Sequence, residues 1–422
     1  FSPRVGVAWT PAGARNVIRG GIGLFYFDLG ITALNQTGFS QSTSLVATQD
    51  GYLTPYATFS NYFPDGIQQP LGASQGINTY LGQGVAWYNN APKNPYSLRW
   101  NLSVQRLITP ELVAEIGYIG NRSNNLGVDR QYNFVPAKYL STAPTRDQAT
   151  IDFLATQVKN PFAGLIPGTN LNSATVARTQ LLNAIPQFTG VTQQSLNLGN
   201  SSSHTLLARL ERRMRGGLQM QASMQYSRII QELTRLNNSD VQLERRVAPE
   251  DRPLRGVVSS TWALPVGRGS RFAAGGRGWD QVLGGWSLNG VYIWQSGPAV
   301  EWGDMIYFGG DLKWNASNID RVFDTTRFNT DSRLQRSQNI RTFPSAFSGL
   351  RADSVSNLDL SAIKDFPILE SLKLQYRCEF FNALNHPVFG GPNVSATSSA
   401  FGRTTSQANQ ARRIQMALRL MW

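Results

Sequence analysis

The nine residues from Ile414 to Trp422 alternate without a break: Ile414, Met416, Leu418, Leu420 and Trp422 are large and apolar, and Gln415, Ala417 and Arg419 lie between them. In an extended strand successive side chains point to opposite faces, so this spacing gives one apolar face and one small or polar face. The first suits lipid and the second suits water. A strand of a soluble β-sandwich can carry the same pattern, so the reading depends on how often the chain repeats it.

It repeats it throughout. Leu206, Ala208 and Leu210 alternate with Arg209 and Glu211, Arg215-Gly216-Gly217 turns the chain, and Leu218, Met220, Ala222, Met224 and Tyr226 follow between glutamines and serines. Leu98, Trp100, Leu102 and Val104 pass through Thr109-Pro110-Glu111 to Leu112, Ala114, Ile116 and Tyr118. Leu358, Leu360 and Ala362 lead around Pro367 to Ser371 into Leu372, Leu374, Tyr376, Cys378 and Phe380. Less regular pairs run from Val5, Val7 and Trp9 to Ile22 and Tyr26, and from Val258 and Trp262 to Trp286 and Trp294. With the closing strand this makes about eleven strands of about 9 to 13 residues, the length a tilted membrane strand needs.

The connections alternate as well. Those after the odd strands are brief, apart from a glycine-rich stretch at Gly267 to Gly285, whereas those after the even strands run to about 20 to 80 polar residues. This order predicts an all-β, antiparallel transmembrane barrel with short periplasmic turns and long extracellular loops. Trp9, Trp100, Tyr118, Tyr226, Trp262, Trp286, Trp294 and Trp422 fall near strand ends, where interfacial aromatic girdles sit. Single-chain bacterial barrels have even strand numbers, so about eleven strands read as half of a larger barrel. Residues 1–422 are accordingly expected to form a partial barrel, a mature product or a fragment.

Composition narrows the function. No run approaches the roughly 18 apolar residues of a membrane helix, which excludes a helical transporter. One cysteine, Cys378, excludes an internal disulfide, and two histidines leave little stock for a metal site, so no metal or cofactor is expected. The net charge of +13 comes from arginines scattered along the chain, and no nucleic-acid-reading element accompanies them. On a barrel, basic residues bind lipid phosphates at the rim or line an anion-tolerant lumen.

Several segments resemble a known family. Phe1 to Trp9 (FSPRVGVAW) with Val17 to Tyr26 (VIRGGIGLFY), Trp100 to Arg106 (WNLSVQR) with Glu115 to Asn121 (EIGYIGN), and Phe380 to Phe389 (FFNALNHPVF) resemble the carboxy-terminal barrel of TonB-dependent receptors. The likeness is nearest to the Oar-like branch, which carries an amino-terminal carboxypeptidase-regulatory-like domain. The resemblance implies a barrel of about 22 strands closed by a plug domain, with energy delivered by TonB through a box before the plug. This chain then corresponds to the latter half of the strands. The resemblance further implies nutrient uptake as the function, with outer-membrane lipid and lipopolysaccharide, the barrel insertion machinery and TonB as partners and a small molecule, glycan or peptide as ligand. The alternatives are an outer-membrane structural or adhesion protein that displays its loops, and a passive porin. The terminal aromatic, with Leu418 and Leu420 before it, matches the insertion signal such barrels use.

No catalytic constellation stands out, and the chain is not expected to be an enzyme. His204, in a Ser-rich segment, and His386 both read as loop residues, and Cys378 as a small hydrophobe on the lipid face. The polar positions of the strands are the candidate lumen residues: Arg19, Arg99, Arg209, Glu211, Asp359, Lys373, Arg377, Glu379, Arg413 and Arg419, with Gln105, Gln219, Gln221, Gln225 and Asn289 among them. Loop aromatics, notably Tyr52, Tyr56, Tyr62, Trp302 and Trp314, either stack on a ligand or pack on one another.

Overall fold

The computed structural model describes residues 1–11, 15–28, 37–267, 272, 279, 282–369 and 372–422. Its main feature is one meandering path of strands: β1 (Arg4–Trp9), β2 (Asn16–Tyr26), β3 (Tyr96–Thr109), β4 (Leu112–Gln131), β5 (Gly190–Arg215), β6 (Leu218–Glu232), β7 (Leu254–Ala263), β8 (Trp286–Gln295), β9 (Val355–Pro367), β10 (Lys373–Phe381) and β11 (Arg413–Met421). Each strand on this path pairs antiparallel with the next, as the sequence predicts. Two short strands bring the sheet to 13. Arg246–Val247 adds to β6, and Gly84–Tyr88 adds to β5 in parallel, a departure from the purely antiparallel expectation. The sheet is open: β1 and β11 are its two ends and are not paired to each other.

The β5–β6 hairpin shows how local chemistry sets this architecture. Gly216 and Gly217 both have positive φ, 60° and 82°, which a two-residue hairpin turn of matching twist requires. Between β3 and β4, Trp100 lies over Gly120, so close that a Cβ there would meet the indole. Glycine at 120 gives the ring its place on the sheet.

The register keeps the two faces apart across every strand. Ile18, Val104, Ile116, Ala208 and Met224 are successive partners on one face, and Leu360, Phe380 and Ile414 continue it. Val5, Leu102, Ile116, Leu206, Met224, Met416 and Leu418 are exposed on that face, so it is an apolar belt facing outward. Sliding β11 by one residue would turn Arg419 into this belt. Arg419 stands near the short-turn rim, where a lipid-facing arginine costs only about 0–1 kcal/mol, so the register is held mainly by Met416, Leu418 and Leu420, which such a slip would take out of lipid. Cys378 belongs to the apolar face but is buried there.

Trp9, Trp262, Trp286 and Trp422 mark the short-turn rim, and Trp100, Tyr118, Tyr226 and Trp294 the long-loop side of the belt. Lys364 lies on the apolar face near the short-turn rim, buried, with Nζ donating to the carbonyls of Val282 (2.9 Å) and Gly284 (2.6 Å). Its stem lies along apolar surface while its charge is capped by backbone. Most of the glycine-rich stretch before these carbonyls, at 268–271, 273–278 and 280–281, lies outside the described residues, as does the centre of the β9–β10 turn.

β4 and β5 are longer than the sequence pattern suggests, 20 and 26 residues. Their Ser- and Asn-rich ends pair beyond the apolar belt, where both faces can be polar. This corrects the reading of His204: it sits within β5 on the outward face, opposite Gly120 and Arg228.

Candidate functional site

The ten charged strand residues expected in the lumen all share the face opposite the apolar belt, by register. Arg19 donates from Nη1 to Gln105 Oε1 at 2.6 Å, and Arg209 pairs with Glu211 at 2.8 Å. Asp359 accepts from Asn357 (3.0 Å) and from the backbone of Asn382 (2.8 Å). Arg377 reaches Glu379 at 3.6 Å and Gln375 at 3.3 Å, and Arg413 donates to Gln410. The side chains of Lys373 and Arg419 have no hydrogen-bond or ion-pair partner among the described residues, and they lie near the short-turn end of β10 and β11. Of these contacts only Arg19–Gln105 joins two neighbouring strands, while Arg209–Glu211 and Arg377–Glu379 run along one strand, and each half-exposed pair contributes at most about 1 kcal/mol.

Within this face a groove of about 480 Å³ opens across β1 to β5. Gly21, Gly23 and Gly117 leave its space free of side chains, and Arg4, Arg99, Phe25, Asn101, Glu115 and Ile119 line it. The Arg4 guanidinium lies 4.3 Å and that of Arg99 5.1 Å from the Phe25 ring centroid, so the ring fixes two cations at one end. Glu115, across from Gln105 and Arg209, supplies an opposite charge at the other. The groove thus carries two cations at one end and a carboxylate at the other along a largely apolar floor. Sequence reasoning had Arg99 but passed over Arg4, Phe25 and Glu115, although all three have the inward parity of their strands.

The long connections hold the second candidate surface. The connection 296–354 and the connection 382–412 bury a common core of Val300, Trp302, Val322, Phe323, Phe328, Phe343 and Phe401, with Trp314 packed against it. Trp302 is 4% exposed and lies 5.3 Å from Phe323 and 5.7 Å from Phe328, ring centre to ring centre. Of the two readings left open for Trp302 and Trp314, the structure shows the second: Trp302 lies in the core, Trp314 packs against it, and their ring centres are 6.1 Å apart. Val322 donates to the Gly402 carbonyl and Thr404 to that of Ile319, each at 2.8 Å, which joins the two connections by backbone.

Other connections lock onto this core. Asp251, 1% exposed, pairs with Arg351 at 2.5 Å and accepts from the Ile229 backbone at 2.6 Å. Glu244 accepts from Ser345, Asn237 accepts from the Arg341 backbone, and Ser141 exchanges backbone hydrogen bonds with Gln338 and Ile340. Four of the five long connections therefore form one cap. Hydrogen bonds from Thr326 and Arg321 hold the Asp324 carboxyl below the usual carboxylate range, and Arg333 does the same for Asp331.

The first long connection differs. Tyr52 is 87% exposed, Tyr62 stands edge-on to the exposed Phe59 at 6.3 Å, and the Tyr56 hydroxyl donates to Asp65 at 2.5 Å. Asp50 ties the segment locally: Thr48 and Thr54 donate to its carboxyl and hold it well below the ordinary range.

Among the described residues no cluster of histidine, cysteine, aspartate and glutamate is arranged to hold a metal ion. No helix is long and apolar enough to cross a membrane, which leaves crossing by strands untouched. No curated protein matches the chain. Among solved structures it is similar to the outer membrane transporter YddB from Escherichia coli, at 12% identity over all of this chain and 40% of that one, with a TM-score of 0.48. It is similar to the ferric enterobactin receptor PfeA from Pseudomonas aeruginosa at 11% identity over 40% of that chain, TM-score 0.44, and to the ferric citrate transporter FecA at 10% over 38%, TM-score 0.40. The chain thus spans about 40% of the length of YddB and PfeA. A family model described as an outer membrane beta barrel domain matches residues 1–415, and the chain belongs to that family, a β-barrel of the bacterial outer membrane.

Proposed function

We propose that this chain forms the later half of the barrel of a TonB-dependent receptor of the Oar-like kind, which takes up a nutrient through a lumen closed by a plug. The observation that carries the reading is the path of strands itself, with free edges on β1 and β11 and a charged face opposite the lipid belt. Free strand edges cannot remain unpaired in lipid, so closure calls for further strands. Eleven of about 22 is the number that closes with a lumen wide enough for a plug.

In this reading the groove beside Arg4, Arg99 and Glu115 faces the plug or the path that opens when the plug moves. Paired charges such as Arg209 and Glu211 suit that place, because an exposed pair is weak enough to exchange partners. The exposed rings Tyr52, Tyr56 and Tyr62 meet ligand outside the cap. The plug, TonB and the insertion machinery act through the whole barrel.

Uptake in intact cells tests the reading. A strain carrying the full-length gene is expected to accumulate one member of a glycan, peptide and metal-chelate panel, and a protonophore is expected to stop it. Accumulation indifferent to the protonophore would make the protein a porin. Surface exposure without accumulation of any panel member would favour a display or adhesion role.

A further inference from the structure

The apolar belt ends, on its long-loop side, in a patch of cations that face outward. Trp100, Gly120, His204 and Arg228 stand side by side in register, one row above Leu102, Tyr118, Leu206 and Tyr226. The next row holds Arg122, with Ser202 opposite, and Arg245 lies beside it, 3.4 Å from Glu232. All four of these basic residues are exposed. The side chains of Arg122 and Arg228 have no hydrogen-bond, ion-pair or ring partner among the described residues.

A pocket of about 300 Å³ lies among Arg122, His204 and Arg245, with Trp100 and Ser202 in its wall and Glu232 as its one carboxylate. The His204 ring is held in place, its Nδ1 2.6 Å from the Tyr118 hydroxyl and its face stacked on that ring at 6.1 Å. Arg122 is ten residues above Leu112 at the short turn, about 33 Å along the strand at ~3.3 Å per residue. At a tilt of about 35–45° this is roughly 25 Å of height, the thickness of the apolar band of such barrels. The patch therefore stands where the hydrocarbon of the outer leaflet gives way to headgroups.

Unpaired guanidinium groups at that depth, pointing away from the lumen, match one chemistry. A phosphate offers them short, charge-assisted and bidentate hydrogen bonds, while the acyl chains below it lie on Leu102, Leu206 and Tyr226. We propose that Arg122, His204, Arg228 and Arg245 form a binding site for the phosphate of an anionic lipid headgroup in the outer leaflet. The site rests on the barrel's orientation in the membrane and not on uptake, so the two readings fail separately.

Native mass spectrometry of the detergent-purified full-length protein tests it with three probes: bis-phosphorylated lipid A, the same lipid dephosphorylated, and inorganic phosphate. The phosphorylated lipid is expected to remain bound, the dephosphorylated lipid to leave, and inorganic phosphate not to compete. The double variant Arg122→Gln/Arg228→Gln should weaken retention roughly tenfold or more for each arginine lost, as charge-assisted hydrogen bonds of about 1.5–3 kcal/mol require. Arg106→Gln/Arg212→Gln removes the same charge from the short-turn side of the outward face and should leave retention within about twofold. Equal retention of the dephosphorylated lipid, displacement by inorganic phosphate, or equal loss in both double variants would overturn the site.

Discussion

Two sets of long connections leave the same side of this barrel, carry similar residues, and end in opposite states. In the connections 296–354 and 382–412, Trp302 and Phe323 are 4% and 1% exposed, whereas in the first long connection Phe59 and Ile77 are 93% and 94% exposed. Composition does not separate the two, since both mix aromatics with Asn, Ser, Thr and Gly. Partners do. The cap has a second connection whose Phe401 and Ala396 complete its core, and a third and fourth that fasten its edges. The first connection meets a neighbour mainly where Gly84–Tyr88 pairs with β5 and where Trp87 stacks on Tyr132 at 5.9 Å. Aromatic rings bury themselves when a second segment brings the opposing surface, and otherwise remain available to a ligand.

The largest expected effect is in the cap core. Trp302→Ala should cost about 3–5 kcal/mol of local stability, and hydrogen exchange should then quicken together at Val322, Thr404 and Ser141, which lie on three different connections. Exchange confined to the residues next to 302 would show that the cap is not one unit. Next in size is the buried ion pair: Asp251→Ala strands Arg351 beside it and should cost about 3 kcal/mol, read as faster proteolysis within 233–253.

Acid should separate the two regions differently. Asp50, Asp324 and Asp331 all have carboxyls depressed by hydrogen bonds, so each stabilises above its unfolded value of 3.8 and loses that as pH falls through the folded value. Below about pH 3.8 the amides of Leu53 and Thr54, which rest on Asp50, should lose protection progressively. The Val322 amide should keep its protection, because the aromatic core beneath it does not titrate. Protection lost in parallel at both places would break the distinction. Smallest of all, Phe59→Ala should change stability by no more than about 0.5 kcal/mol, while lowering the affinity of any ligand that stacks on this loop.

The strands were legible because each one answers to its own residues. Alternation in Leu218 to Tyr226 and in Ile414 to Trp422 sorts side chains between lipid and the opposite face without reference to distant sequence, and the Gly216-Gly217 turn needs only its own dihedrals. Arg4 and Glu115 follow the same rule, since their inward parity is set by their own strands. The Ser-rich beginning of β5 resisted reading for a physical reason. Beyond the lipid both faces are wet, so the pattern that marks a strand disappears while its hydrogen bonds continue, and His204 looks like a loop residue.

By itself the sequence determined the period of two, the short and long connections, and the two faces of the sheet, since lipid and water act on every side chain one at a time. Only the tertiary structure decided which aromatics are buried and which arginines gather at the rim. Asn237 meets Arg341 across 104 residues, and Arg122 shares its pocket with Arg245. Contacts of that kind come from the order in which strands pair, and no local pattern along the chain encodes them.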